Sequence, residues 1–336
     1  MLNAAARTSN LFAPMKRYRI LNLEPNNYSA DALAILQSLG QVDNGPLTRL
    51  ELLARVHEYE ILIVRLAHQV DGKIIDRAEC LKAIVTATTG LDHIDVAYAE
   101  TKNIKVLSLR GETEFLRGIP ATAEHTWALL LALVRRIPAA FQSVLAGEWE
   151  RDRFKGHDLA GKRLGILGLG RIGEMIARYG QAFNMRVVAY DPYRKDWLPG
   201  VERASSQSEL LRQSQVLSVH VPLNEETENL LGASELAQLP PGALLVNTAR
   251  GQVIDEAALL AALEQGHLAG AALDVLWDER AAGPNRSLLV QYARTHDNLL
   301  ITPHIGGATY ESMATTEIFM ARKLKTFLEN LEASSG

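Results

Sequence analysis

Lys162–Gly180, KRLGILGLGRIGEMIARYG, constrains the fold more than any other stretch. Leu164–Leu167 is an apolar run of strand length, glycines follow at 168, 170 and 173, and Met175, Ile176 and Tyr179 then recur at helical spacing. A strand running through such a turn into a helix is the setting in which G-x-G-x-x-G binds a dinucleotide. Gly168 permits the tight turn, Gly170 lets backbone approach a pyrophosphate, and Gly173 lets helix and strand pack closely. The free N–H groups that open the helix, around Arg171 and Ile172, face the anion. A second strand, Val187–Tyr190, ends at Asp191. A carboxylate about 20 residues beyond the glycines suits the ribose hydroxyls of NAD. It would repel a 2′-phosphate, so NAD is the expected cofactor and NADP the weaker alternative. Arg194 could offset that repulsion only by folding back.

The chain has 336 residues, room for about two domains of ordinary size. A formal net charge of -4 gives no electrostatic footprint for nucleic acid or anionic membrane. Cys80 is the only cysteine, so no intrachain disulfide can form and a reducing, cytoplasmic setting is expected. No apolar run reaches membrane-spanning length. Residues 1–15 lack the continuous apolar segment of a secretory signal and read as a disordered leader, with Met15 an alternative start.

From Tyr18 onward, strands and helices alternate. Strands are expected at Tyr18–Leu23, Ile61–Val64, Ala83–Thr86 and Ile104–Leu107, with helices at Ser29–Leu39, Thr48–Tyr59, Asp76–Leu81 and Asp92–Thr101. This alternation implies a parallel sheet covered on both faces. No glycine fingerprint marks this unit, so it should hold something other than the nucleotide. Residues 110–119, RGETEFLRGI, read as a loop or hinge. One long helix, apolar nearly all round, is expected from Ala121 to about Ala146. Six strands follow, near Arg163–Leu167, Arg186–Tyr190, Val216–His220, Ala243–Asn247, Gly270–Leu273 and Leu299–Thr302, and a last helix from about Thr309 to Leu328. The fold class is therefore α/β, with two doubly wound parallel-sheet domains.

In open α/β sheets, ligands sit beyond the carboxyl ends of the strands. One strand runs out through Asn247-Thr248-Ala249-Arg250, the next through Asp274 toward Glu279, and the last through Pro303-His304-Ile305-Gly306. An arginine can clamp a carboxylate bidentately. A histidine can move a proton, and a carboxylate can orient it and support its charged form. Taken singly, each has a plainer reading: a surface arginine, a solvated acidic turn, a structural histidine. Arrival at three successive strand ends favours a catalytic set. His93, His125 and His220 lie in motif-like segments, but no pair has metal-ligand spacing, and no metal is expected.

At these residues the chain resembles the D-isomer-specific 2-hydroxyacid dehydrogenases. The segments that carry the resemblance are LVNTARGQVIDEAALLAAL, the ALDV before Glu279, TPHIGGAT and the glycine fingerprint, and it extends over roughly Tyr18 to Leu328. It implies that Arg250, Glu279 and His304 are catalytic, with His304 exchanging the hydroxyl proton, Glu279 holding His304, and Arg250 binding carboxylate and carbonyl. Asp274 would meet the nicotinamide carboxamide, and His220, Pro222, Thr227, Thr248 and Gly306 would join the nucleotide contacts. Backbone N–H groups at Leu66, Ala67, Thr89 and Gly90 would receive the substrate carboxylate. The resemblance further implies two domains, 16–117 with 307–330 for substrate (flavodoxin-like) and 118–306 for NAD, an active-site cleft between them, and a homodimer formed through the 121–146 helix. Partners would then be a small 2-hydroxy or 2-oxo acid and a second copy, with no nucleic acid and no membrane.

Departures bear on the substrate. Phosphoglycerate dehydrogenases tend to carry a second arginine in the first-domain loop, where this chain has Ala67, so a phosphoglycerate dehydrogenase without its regulatory domain stands as the alternative. Glu279 is followed by Arg280 where proline is usual, and the 111–118 loop is long. A nucleotide-gated corepressor of the same fold is the reading from another class; the lack of a basic patch favours the enzyme.

Overall fold

The computed structural model describes residues 18–279 and 287–334. The expected leader at 1–15 and Arg280 lie outside the described residues. The chain divides into two compact units, Met1–Glu112 with Met313–Gly336, and Thr113–Ser312.

In the first unit, β1 (Tyr18–Asn22), β2 (Gly40–Asn44), β3 (Ile61–Val64), β4 (Ala83–Thr86) and β5 (Lys105–Leu107) form a parallel sheet in the order β2-β1-β3-β4-β5. That is the flavodoxin-like order. Its helices are α1 (Ala30–Leu39), α2 (Arg49–Arg55), α3 (Gly72–Arg77) and α4 (Val96–Thr101). The Ser29 hydroxyl caps α1 by accepting from the Ala32 N–H, and Thr48 with Glu51 forms a capping box on α2. Ile61–Val64 and Ala83–Thr86 are buried throughout, as strands covered on both faces must be. Two expectations shift here. The strand β2 was not expected, because GQVDN is a polar, half-exposed edge with no apolar alternation. The helix expected at Asp76–Leu81 lies at Gly72–Arg77, started by Asp71, whose carboxylate accepts from the Ile74 N–H.

The second unit holds α5 (Thr113–Leu116), α6 (Ala121–Val134), α7 (Ile137–Leu145), β6 (Arg163–Leu167), α8 (Arg171–Ala182), β7 (Arg186–Tyr190), β8 (Val201–Arg203), α9 (Gln207–Gln213), β9 (Val216–Val219), α10 (Ala233–Leu236), β10 (Ala243–Asn247), α11 (Glu256–Glu264), β11 (Leu268–Leu273), α12 (Leu288–Ala293), β12 (Leu299–Ile301) and the start of α13 (Tyr310–Ala333). Its strands are parallel in the order β12-β11-β10-β9-β6-β7-β8. Side chains alternate between two cores. Leu167, Val188, Leu217, Leu245 and Ala271 join one with α9 and α11, while Leu164, Ile166, Val187, Val246 and Ala272 join the other with α6 and α8. Each fully buried aliphatic side chain contributes about 1.5–3 kcal/mol.

The sheet has seven strands where six were expected; β8 is three residues of edge, VER, with little apolar signal. Part of the expected 110–119 loop is the helical turn α5. The expected helix from 121 to 146 is two helices, broken where Arg136 takes φ 53 and Pro138 enters the first turn of α7. Proline has no N–H to return to Val134. The Val134 carbonyl accepts instead from the His157 N–H at 3.1 Å. Among the described residues no single helix is long and apolar enough to cross a membrane; α5–α6 with α7 passes that test only as a pair bent by 63°.

Candidate active site

Strand register sets the site out in a row. Tyr190, Leu167, Val219, Asn247, Leu273 and Ile301 are aligned partners across β7, β6, β9, β10, β11 and β12. The next residue on each strand is therefore Asp191, Gly168, His220, Thr248, Asp274 and Thr302. With about 4.8 Å between neighbouring strands, the carboxyl edge of this sheet is a continuous bench. The glycine turn stands at one part of it and the expected catalytic set at the other.

At the turn, Gly168 has φ 92, and a Cβ there would lie 2.8 Å from the His220 carbonyl oxygen. A Cβ on Gly173 would come 2.2 Å from the Gly168 carbonyl oxygen, so helix and turn touch backbone to backbone. Gly170 meets nothing within 4 Å and caps α8 in extended conformation. The Glu174 N–H makes the first return bond, to the Gly170 carbonyl at 2.9 Å, so the N–H groups of Arg171, Ile172 and Gly173 precede the intrahelical ladder. This cradle of open backbone and helix N–H groups fits the pyrophosphate of a dinucleotide. The Asp191 carboxylate accepts from Leu169 N–H and Tyr193 N–H, both at 3.0 Å, which fixes it beside the turn. Arg171 sends its guanidinium to the carbonyls of Leu116 and Ile119, at 3.2 and 2.7 Å, and burial lowers its pKa. Burial likewise pushes the His220 imidazole down to about 3, leaving it neutral, 2.7 Å from the Ser218 hydroxyl. Thr227 closes its own loop, donating to the Pro222 carbonyl at 2.6 Å and accepting from the Asn224 N–H at 2.9 Å.

At the other part of the edge, His304 Nδ1 lies 2.7 Å from Glu279 Oε2, and Glu279 Oε1 accepts from the Leu276 N–H at 3.2 Å. Fixing Nδ1 leaves Nε2 as the ring nitrogen able to exchange a proton with a ligand. His304 has φ 54, a conformation that costs a non-glycine residue about 1–2 kcal/mol. Asp274 holds it there. Its carbonyl accepts from the His304 N–H at 2.9 Å, and its buried carboxylate accepts from the N–H groups of Ile305 and Gly306 at 2.9 and 2.7 Å. The Thr302 hydroxyl also donates to that carboxylate at 2.6 Å and can accept from His125 Nε2 at 2.9 Å. Arg250 leaves β10 in extended conformation, with its carbonyl held by Asn247 Nδ2 at 2.9 Å. Thr248 is paired with Thr126, hydroxyl to hydroxyl, at 2.7 Å.

Three supporting residues were not singled out from the sequence. A Cβ on Gly251 would lie 2.0 Å from the Leu276 carbonyl carbon, so the residue after Arg250 butts against the segment leading to Glu279. Gln252 Nε2 donates to the Trp277 carbonyl, and Glu256 accepts the Trp277 N–H, both at 2.7 Å. Burial, with the charge of Asp278, raises the pKa of Glu256. These contacts are long-range in sequence, and only the position of Gly251 directly after an arginine hinted at one.

In the first unit, Leu66 and Ala67 follow β3, and Thr89 and Gly90 follow β4. The Glu24 carboxylate accepts from the N–H groups of Arg65 and Ala67 at 2.9 and 3.2 Å and lies 3.3 Å from His68 Nδ1. Arg65 is also engaged with the carbonyls of Glu24 and Asn26 and with buried Glu317.

Residues 127–306 match the model of the D-isomer specific 2-hydroxyacid dehydrogenase, NAD binding domain. The chain belongs to this family. It is 36% identical over 310 residues to the hydroxypyruvate reductase of Thermotoga maritima, covering 92% of this chain and 98% of the relative. It is 38% identical over 302 residues to the D-3-phosphoglycerate dehydrogenase of Methanocaldococcus jannaschii, covering 89% of this chain and 55% of the relative. The chain thus spans about half the length of this and other phosphoglycerate dehydrogenases it matches. Among solved structures, the D-lactate dehydrogenase of Aquifex aeolicus, complexed with NAD and lactic acid, matches at TM-score 0.82 and 28% identity, covering 93% and 96% of the two chains. The glycine turn, Asp191 and the row of strand ends thus lie in the NAD-binding domain of a D-2-hydroxyacid dehydrogenase family member.

Proposed function

We propose that this family member is an NAD-dependent oxidoreductase of a small D-2-hydroxy acid and the matching 2-oxo acid. The observation that carries the reading is the 2.7 Å contact of His304 with Glu279, in the segments that follow β12 and β11, with β11 adjoining β10, the strand that presents Arg250. Bound NAD supplies the hydride acceptor, and NADH the donor. His304 Nε2 takes the C2 hydroxyl proton during oxidation and returns it during reduction. Glu279 orients the imidazole and supports its charged form. Arg250 pairs with the substrate carboxylate and draws electron density from the C2 oxygen. Within the first unit, the backbone N–H groups of Leu66, Ala67, Thr89 and Gly90 are the candidate carboxylate contacts, and Glu24 already accepts from the Ala67 N–H at 3.2 Å.

An unphosphorylated substrate is favoured over phosphoglycerate. Ala67 offers no cation, and the guanidinium of Arg65 is engaged with Glu24, Asn26 and Glu317. A homodimer is supported by the second-unit helix α7, which exposes Ile137 at 52%, Phe141 at 58% and Leu145 at 66%. A contiguous apolar face of that kind marks an interface; sedimentation as a monomer at micromolar concentration would refute the pairing. The function itself is tested by offering NADH and a panel of 2-oxo acids, phosphorylated and plain. Oxidation of NADH with a plain acid is expected. Binding of NADH without turnover on any acid would refute the reading.

A further inference from the structure

The expected cofactor preference rests on Asp191, with Arg194 able to offset it only by folding back. In the structure Arg194 does fold back. One terminal nitrogen donates to the Leu169 carbonyl, its Nε donates to the Asp196 carbonyl, and Nη2 lies 2.5 Å from Glu174 Oε1. The side chains of Arg194 and Glu174 are 19% and 30% exposed, so this pair is partly shielded from solvent. The peptides flanking Leu169 are thereby held from both sides: Asp191 accepts the Leu169 N–H, and Arg194 donates to the Leu169 carbonyl. The guanidinium stands at the glycine turn, three residues beyond Asp191, the carboxylate expected to meet the ribose. A cation in this neighbourhood is what a 2′-phosphate requires. Here its charge is neutralised by Glu174, a residue in the first turn of α8.

We propose that Glu174 is a specificity-determining residue, a latch that keeps Arg194 from a 2′-phosphate and so sets the preference for NADH over NADPH. With the latch intact, the two carboxylates of Asp191 and Glu174 outweigh the one guanidinium, and the local field opposes a phosphate. Without it, the charges of Asp191 and Arg194 balance, and the fork of Arg194 can turn from Glu174 to a phosphate with geometry that suits it. Arg178 reaches Glu174 only at 4.0 Å and is 69% exposed, so it screens the latch weakly.

Dissociation constants for NADH and NADPH, titrated by fluorescence on the full chain, test this without knowledge of the substrate. In Glu174→Gln the ratio of the NADPH to the NADH constant is expected to fall about tenfold or more, with NADH binding altered less than about threefold. Adding Arg194→Ala to that variant is expected to restore the original ratio. Arg194→Ala alone, which leaves both carboxylates without their counter-charge, is expected to raise the ratio, and a fall in the ratio would overturn the latch. An unchanged ratio in Glu174→Gln would overturn the latch. Equal weakening of both cofactors would overturn it in favour of a purely structural pair. A shift that survives removal of Arg194 would overturn it in favour of bulk charge. Failure of the unaltered chain to bind NADH would overturn the cofactor site along with it.

Discussion

His304 Nδ1 and Glu279 Oε2 are 2.7 Å apart; the His304 N–H is held by the Asp274 carbonyl, and the other Glu279 carboxylate oxygen accepts from the Leu276 N–H. These contacts preorganise the pair. Glu279→Gln keeps the shape but not the negative charge that supports imidazolium. Turnover is expected to fall about 10²-fold, since acid–base assistance contributes about 10²–10⁴-fold. Steady-state kinetics checks this, with NADH affinity as the control; undiminished turnover would remove Glu279 from the reaction.

Gly251→Ala tests the backbone packing beneath the acid. The added methyl would meet the Leu276 carbonyl carbon at 2.0 Å and the Trp277 nitrogen at 2.4 Å. Neither can give as a flexible side chain would, so the Glu279 segment must move. Overpacking of this kind costs about 1–3 kcal/mol. A lower melting temperature and lost turnover are expected, and a variant with unaltered activity would show that the segment moves freely.

Two glycines of one motif should respond differently. Gly170→Ala adds a methyl that meets nothing within 4 Å, so the fold should persist while NADH affinity drops, because the methyl occupies the approach to the pyrophosphate. Gly173→Ala would place its methyl 2.2 Å from the Gly168 carbonyl oxygen and should destabilise the chain itself. Melting curves beside NADH titrations separate the two; equal behaviour would contradict the division of labour within the turn.

Elements with continuous apolar runs were legible. Ile61–Val64, Ala83–Thr86, Arg163–Leu167 and Ala243–Asn247 stand where they were expected, because burial on both faces leaves an unambiguous run. The edges β2 and β8 were not legible, since an edge strand needs few apolar residues and GQVDN and VER supply few. Pro138 was the readable warning that the 121–146 helix breaks, outweighed by the apolar run on either side. At the site, the glycines, Asp191, Arg250, Glu279 and His304 could be named from strand ends. The clamp made by Asp274, Thr302 and His125 could not, because it joins residues up to 177 positions apart. Arg194 was noticed, but its direction depended on Glu174, and no spacing rule links those two.

The first unit carries a pH-sensitive pair. Burial pushes the Glu24 carboxyl up, but the His68 hydrogen bond, the Arg65 N–H and the nearby charges outweigh it, and the net shift is down. The hydrogen bond to Glu24 raises His68, against burial and with help from the Leu47 carbonyl. Glu24 therefore contributes stability that is present above the unfolded carboxyl pKa, about 4.3, and lost as pH falls through the lower folded value. His68 contributes stability that is full below the unfolded imidazole pKa, about 6.5, and lost as pH rises through the higher folded value. The stability difference between the unaltered chain and His68→Ala should thus be greatest between about pH 4.3 and 6.5. Denaturant melts across that range check it, and a difference that grows above neutrality would contradict the pairing.

The most direct test of the account is His304→Gln, measured with NADH and whichever 2-oxo acid the unaltered protein reduces. The amide can still occupy the turn that Asp274 holds, but it cannot exchange a proton with the C2 oxygen. NADH binding is expected to persist while turnover falls by about 10²–10⁴-fold. Turnover equal to that of the unaltered chain would contradict the assignment of His304, and with it the catalytic reading of the strand ends.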